Sequence, residues 1–342
     1  MDKFIPPFVA LINEEFGHQD HRFWLTGCSV KYPVEESENV VVCKNDFWSR
    51  LRADGRLIFE LHLARRVMLH GLFNIRTLLL LALCPWVLKK CYWVIWGGDL
   101  YQYTRTNLTW PTRLEEAVRR FVIRRVGHLV TYINGDVKLA REWYGAKGVH
   151  HECLMYLSNV IDSASFGEPI QKTQKDTLYI LVGNSADPSN NHIGAFERLL
   201  PYKNENIKIF VPLSYGSESH AGEVVRKGKD WFGEKFEPLM DFMPLHHYLI
   251  FLKSVDIAIF NHQRQQAMGN TITLLGMSKT VFMRSDVSHW QFLNGLGIKL
   301  NDIANLCLLP LNSDEAKKNT EIVFSYFSKA TLLMQLESLF KE

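Results

Sequence analysis

The chain lacks a CxxC pair and any metal-ligand spacing, because its cysteines stand apart at positions 28, 43, 84, 91, 153 and 307. That scatter offers neither a zinc ribbon nor a disulfide framework, and it reads as reduced thiols in a cytoplasmic protein. Long hydrophobic runs are missing too. The longest, 77–88, spans about twelve residues and contains Pro85, short of the roughly 20 needed to cross a bilayer. No signal peptide opens the chain, since residues 1–10 carry Asp2, Pro6 and Pro7. Neither a Gly-Lys-Ser/Thr phosphate loop nor a GxGxxG fingerprint occurs. A formal charge of only +3 and the absence of a nucleic-acid motif argue against nucleic acid as a partner. There is no short-period repeat and no low-complexity tract.

What is present is an ordinary globular composition, 47% hydrophobic and 22% charged over 342 residues, long enough for two domains. The positive excess lies in the N-terminal half. It gathers in Arg105, Arg113, Arg119, Arg120, Arg124 and Arg125, offset by Glu115 and Glu116. This predicts a basic amphipathic helix near 110–125 that either meets an anionic surface or is simply a solvated face.

Short apolar strands are predicted at 22–26, 40–43, 67–69, 92–96 and 129–133, with helices at 4–16, 75–83, 110–125 and 136–144; 57–62 fits either a strand or a helix. A polar stretch at 163–176 reads as a linker. The pattern then restarts with strands near 178–182, 207–211, 236–238, 254–260 and 280–283, with helices from 192, 220–232 and 270–277, and it closes on one long amphipathic helix, 319–339. Alternation of this kind predicts an α/β chain of two Rossmann-like domains with doubly wound parallel sheets facing a central cleft. The expected division is 1–165, 176–318 and a C-terminal helix, 319–342.

The stretch around which the first half is organised is Tyr92-Trp93-Val94-Ile95-Trp96-Gly97-Gly98-Asp99-Leu100-Tyr101. A buried strand delivers a carboxylate to a loop at its carboxyl end, where open α/β sheets keep their chemistry. Asp99 is therefore a candidate catalytic residue, or else a turn aspartate starting the next helix. His70 ends a neighbouring strand; its titration range suits proton transfer, and a plain hydrogen-bonded histidine is the alternative. In the second half, the loop from Gly183 through Asn184 to His192 follows a strand and opens a helix, a small-residue arrangement fitted to phosphate or to an asparagine-rich turn. After the next-but-two strand, Arg264 can fork onto a phosphate, and Gly269, Asn270 and Thr271 start a helix with free N–H groups. A surface ion pair is the alternative for Arg264. Two anion loops in one domain suit a nucleotide diphosphate. The pair His246-His247 reads as surface, not metal.

With His70-Gly71-Leu72-Phe73-Asn74, the Trp93–Tyr101 stretch, the 181–192 loop and Arg264-Gln265-Gln266-Ala267-Met268-Gly269, the chain resembles the bacterial 4-acetamido-4,6-dideoxygalactose (Fuc4NAc) transferases of enterobacterial common antigen synthesis, glycosyltransferase family 56. The resemblance implies a GT-B architecture, a dTDP-sugar donor in the C-terminal domain and a polyprenyl-diphosphate-linked saccharide acceptor at the cytoplasmic face of the inner membrane. It implies donor contacts from Gly183, Asn184, Ser185, Asp187, Asn190, His192, Arg264, Gln266, Gly269, Asn270 and Thr271, and acceptor contacts from Asn74, Gly97, Gly98 and Tyr101. Asp99 would be the base, with His70 competing for that role, and Arg113, Arg119, Arg120 and Arg124 would dock on the anionic membrane. No cofactor or metal is expected, because helix starts and Arg264 supply the positive field. Ala267 and Asn270 replace the family's frequent glycine and threonine, which leaves the donor sugar open between common-antigen and O-antigen relatives. A GT-B epimerase and a non-catalytic nucleotide-binding scaffold remain as alternative readings.

Overall fold

A computed structural model describes residues 2–26, 33–43, 47–106, 109–162 and 177–341. The polar 163–176 stretch read as a linker lies outside the described residues. The chain forms two compact units, 1–159 with 329–342, and 160–328.

In the first unit, α1 (Ile5–Glu15) takes Pro6 and Pro7 in its first turn, where a missing N–H costs nothing. The strands β1 (Phe23–Thr26) and β2 (Val40–Cys43) pair in parallel as a separate ribbon. The ambiguous 57–62 stretch is the end of a helix, α2 (Phe47–Leu63). Next come β3 (Val67–His70), α3 (Ile75–Leu83), β4 (Cys91–Val94), α4 (Trp110–Ile123), β5 (His128–Val130), α5 (Asn134–Tyr144) and β6 (Val149–His151). The strands β3-β4-β5-β6 lie side by side in sequence order, all parallel. Trp93, Leu88, Leu129 and Ala140 are fully buried in its core. Sequence reading missed β6, whose Val-His-His offers no apolar run.

The second unit contains β7 (Leu178–Val182), α6 (His192–Leu199), β8 (Ile207–Pro212), α7 (Glu218–Phe232), β9 (Phe236–Leu239), α8 (Leu245–Ser254), β10 (Ile257–Phe260), α9 (Met268–Gly276), β11 (Thr280–Met283), α10 (Ser288–Gly295), β12 (Asn301–Asp302) and α11 (Ser313–Tyr326). Its six parallel strands run in the order β12-β11-β10-β7-β8-β9. The order reverses between β7 and β10. At such a switch point the loops leaving the two strands diverge and open a crevice, the usual ligand position of a doubly wound sheet.

The expected single closing helix is two. Helix α11 ends at Phe327, whose buried ring and non-helical backbone turn the chain, and α12 (Lys329–Lys341) then returns to the first unit. There Gln335 accepts a hydrogen bond from the Leu154 amide (2.9 Å), and Lys329 pairs with Glu15 (2.6 Å). An unbroken apolar periodicity could not reveal that break.

Candidate active site

In the first unit the loops at the carboxyl ends of β3 and β4 are tied together by one carboxylate. Asp99 is fully buried. Its Oδ2 accepts from the Leu72 amide (2.9 Å) and Trp93 Nε1 (2.7 Å), and its Oδ1 from the amides of Trp96 and Leu100 (both 3.0 Å). Burial pushes its carboxyl above the usual range, against the pull of the four donors that favour the anion. In this arrangement both oxygens are occupied and none of the side chain is exposed, so the carboxylate ties the two loops together.

Arg119 completes this knot. The resemblance places Arg119 on the membrane, but its side chain is 3% exposed, donates from Nε to the Leu72 carbonyl (3.1 Å) and is clasped by Glu115 (2.6 Å) and Glu116 (2.7 Å), the carboxylates one turn earlier that draw it in. Arg113, Arg120 and Arg124 are exposed, and Arg120 donates to the Trp143 carbonyl (3.0 Å) over the Tyr103 ring.

His70 is half-buried beside this knot. Trp96 Nε1 donates to the Tyr156 hydroxyl (3.1 Å), and His70 Nδ1 lies 2.5 Å from the same hydroxyl. Burial lowers the imidazole pKa to about 4, which makes His70 an uncharged ring at neutral pH. Among the predicted acceptor contacts, Asn74 caps α3 by accepting from the Arg76 amide (2.9 Å). Gly97 sits at φ +71°, and Tyr101 packs edge-on against Trp143. Tyr156 carries no signal in the sequence, because no motif surrounds it.

In the second unit the two predicted anion loops leave β7 and β10, the strands that flank the switch point. A buried asparagine ties them together. Asn190 Oδ1 accepts from the Asn184 amide (2.9 Å) and His262 Nε2 (3.0 Å), while its Nδ2 donates to Ser185 Oγ (3.2 Å) and the Asp187 carbonyl (2.9 Å). The Gln263 amide donates to the Ser189 carbonyl (2.9 Å), Ser189 Oγ lies 2.6 Å from Gln266 Oε1 and 2.5 Å from Asp187 Oδ1 with one hydrogen to share between them, and Gln266 Nε2 donates to Asn184 Oδ1 (3.0 Å). Gly183 stands at φ +70°, and a Cβ there would lie 2.6 Å from His192 Nε2 and 2.8 Å from Asn190 Oδ1. Only glycine fits.

Gly183, Ser185, Asn190, His192, Gln266 and Thr271 are all buried. They hold the loops together; Thr271, for example, spends its hydroxyl on the Ala267 carbonyl (3.1 Å). The residues that reach the surface are Asn184, Asp187, Arg264, Gly269 and Asn270. Arg264 is held loosely, at 3.4 Å from Asp187 Oδ2 and 3.3 Å from the Gln265 carbonyl. Burial raises the Asp187 carboxyl, but the Ser189 hydroxyl and amide and the Arg264 guanidinium bring it below the usual range. Beside Arg264, α9 begins at Ala267 in the left-handed conformation (φ +58°) with no side-chain cap, so its first N–H groups remain available to an anion. The start of α6 also lacks a side-chain cap. It lines a cavity of about 390 Å³ with Asn261 and Arg284 at the ends of β10 and β11.

Three histidines in this unit, His192, His262 and His289, are buried, and each has a ring nitrogen with no partner among the described residues. Burial lowers the pKa of His192 to about 3, that of His289 to about 4 and that of His262 well below the ordinary value. Sequence reading had flagged only the first.

The solved structures similar to this chain share its fold at low identity. Sucrose-phosphate synthase from Thermosynechococcus elongatus matches with a TM-score of 0.68 at 11% identity, covering 98% of this chain and 92% of that one. The HepE protein of Anabaena, solved with UDP-glucose, matches with a TM-score of 0.65 at 11% identity, covering 88% and 85%. WaaG, a glycosyltransferase involved in lipopolysaccharide biosynthesis, matches with a TM-score of 0.60 at 11% identity, covering 97% and 94%. The fold is GT-B. The family model described as 4-alpha-L-fucosyltransferase, glycosyl transferase group 56, matches residues 58–300, and the protein is a glycosyltransferase enzyme belonging to that family.

Proposed function

We propose that the enzyme moves a deoxy amino sugar of the Fuc4NAc type from a dTDP-sugar to a polyprenyl-diphosphate-linked saccharide during bacterial surface polysaccharide synthesis, at the cytoplasmic face of the inner membrane. The observation that carries the donor half is the uncapped start of α9 beside the loosely held Arg264. Donated N–H groups and a guanidinium stabilise the diphosphate as it leaves, where negative charge grows in the transition state. In the reaction an acceptor hydroxyl oxygen bonds to the anomeric carbon, the bond from that carbon to the diphosphate oxygen breaks, dTDP departs and the hydroxyl proton is released. His70 orients an acceptor oxygen, and Asp99 fixes the loops around it. Asn184, Asp187, Gly269 and Asn270 line the donor site, and Gly183, Ser185, Asn190, His192, Gln266 and Thr271 hold its shape.

The test incubates the purified protein with dTDP-Fuc4NAc and a polyprenyl-diphosphate disaccharide and follows the lipid product by mass spectrometry. A product heavier by one acetamido-dideoxyhexose residue supports the assignment. Free sugar with an unchanged lipid would reject the acceptor class, and unchanged donor would reject the assignment altogether.

A further inference from the structure

The four strands of the first unit are parallel, so the turns that lead into them, 63–66, 84–90, 124–127 and 145–148, lie along one edge of the sheet, opposite the loops of His70 and Asp99. These turns contain no aspartate or glutamate. They carry the exposed cations Arg65, Lys89, Arg124, Arg125 and Lys147. The turns form one continuous surface. Trp86 Nε1 donates to His62 Nε2 (2.8 Å), and Lys90 Nζ donates to the carbonyls of His62 (2.9 Å) and Ala64 (2.6 Å). The Gly127 amide donates to the Leu88 carbonyl (2.8 Å), and the Val149 amide donates to the Gly127 carbonyl (2.8 Å). A Cβ on Gly127 would fall 1.9 Å from the Lys89 carbonyl oxygen, so only glycine lets these two turns meet.

Two features of this edge are unusual for a solvated surface. Arg124, Arg125 and Lys147 line a cavity of about 600 Å³ whose remaining lining, Val126, Gly127 and Gly148, carries no acid. Beside the cations, Leu63, Leu83, Trp86 and Val149 are between 59% and 72% exposed. Ile75 and Leu79 extend this apolar surface along the outer stripe of α3, where Ile75, Leu79 and Leu83 follow at successive helical turns. Large apolar side chains with an indole among them, set beside cations that form no ion pair among the described residues, match the two layers of an anionic bilayer surface: acyl boundary for the former, phosphate for the latter.

We propose that this edge, with the outer stripe of α3, seats the enzyme on anionic phospholipid, the Arg124–Arg125–Lys147 cavity taking a lipid phosphate while Trp86 and Leu83 enter the interface. The proposal rests on the reading of a lipid-linked acceptor and moves the docking surface from the face of α4 to the turns before the strands.

The test is flotation of the full chain with vesicles of phosphatidylcholine alone or mixed with phosphatidylglycerol, at low and at high salt. Wild-type protein should float with the anionic vesicles, lose that binding at 1 M salt, and leave the neutral vesicles largely unoccupied. Together Arg124→Ala, Arg125→Ala and Lys147→Ala should weaken partitioning by on the order of a hundredfold, and Trp86→Ser with Leu83→Ser should abolish it, with dTDP binding by calorimetry kept in both variants. Equal flotation of wild type and variants, salt-insensitive binding, equal binding to neutral vesicles, or no binding by the wild type would each overturn the proposal. If dTDP binding fails while anionic vesicle binding persists, the donor assignment falls and the docking surface stands.

Discussion

Replacing Asp99 by Asn separates a positioning carboxylate from a catalytic one. The carboxylate accepts four N–H bonds through two oxygens, and an asparagine has one oxygen and an NH2 group. Whichever way the amide turns, two of the four donors then face another donor in a site without solvent. Each buried donor left unsatisfied costs about 1–3 kcal/mol, so the variant should lose about 2–6 kcal/mol from the first unit, a large share of the ~5–15 kcal/mol that holds a domain together. Urea unfolding followed by tryptophan fluorescence reads this directly, since Trp93 in β4 donates to Asp99 and Trp96 sits on the affected loop. The expected outcome is a lowered midpoint for the transition that reports the first unit, with dTDP binding by the second unit unchanged. A variant that unfolds like the wild type yet has lost transfer would refute the reasoning and return Asp99 to the chemistry.

Acid should destabilise the second unit first. His192, His262 and His289 are held neutral in the folded state, with pKa values below the ordinary value; the unfolded chain binds more protons than the folded one between about pH 4 and 6.5, so the stability present above pH 6.5 is lost as pH falls. Three such groups give a slope of about 4 kcal/mol per pH unit, and a melting temperature flat from pH 6.5 to 5 would contradict it. Gly183→Ala places a Cβ against His192 and Asn190 at a left-handed backbone position, which should cost the second unit about 1–3 kcal/mol and weaken dTDP binding; calorimetry and thermal unfolding of the same sample check both.

Much of the fold could be read from the sequence because buried parallel strands are short continuous apolar runs, as in 178–182 and 257–260, and helices between them announce themselves by Gly and Asn at their ends. Helix α8 has no range in the sequence reading, since its apolar residues 248–252 run consecutively between His247 and Lys253, and so short an apolar run carries no helical period to distinguish it from a strand. Motif positions were visible but their roles were not. A strand followed by Gly-Gly-Asp looks the same whether the carboxylate faces substrate or, as Asp99 does, faces Leu72 and Trp93, because those partners lie on other elements or point inward. Asn190 and Asp187 illustrate the same limit from the other side: three residues apart in one loop, one is the buried knot and the other reaches the surface beside Arg264. Arg119 shows that charge counting along a helix misplaces a cation that two carboxylates one turn away can neutralise.

The measurement that bears most directly on the central claim is calorimetric titration of dTDP, UDP and GDP into the wild-type protein and into Arg264→Ala. The account predicts tightest binding for dTDP, and a dissociation constant about 10- to 100-fold weaker in the variant, the worth of a hydrogen-bonded charge pair of about 1.5–3 kcal/mol. Equal dTDP affinity in the two proteins, or no nucleotide binding by either, would contradict a donor diphosphate held at the start of α9.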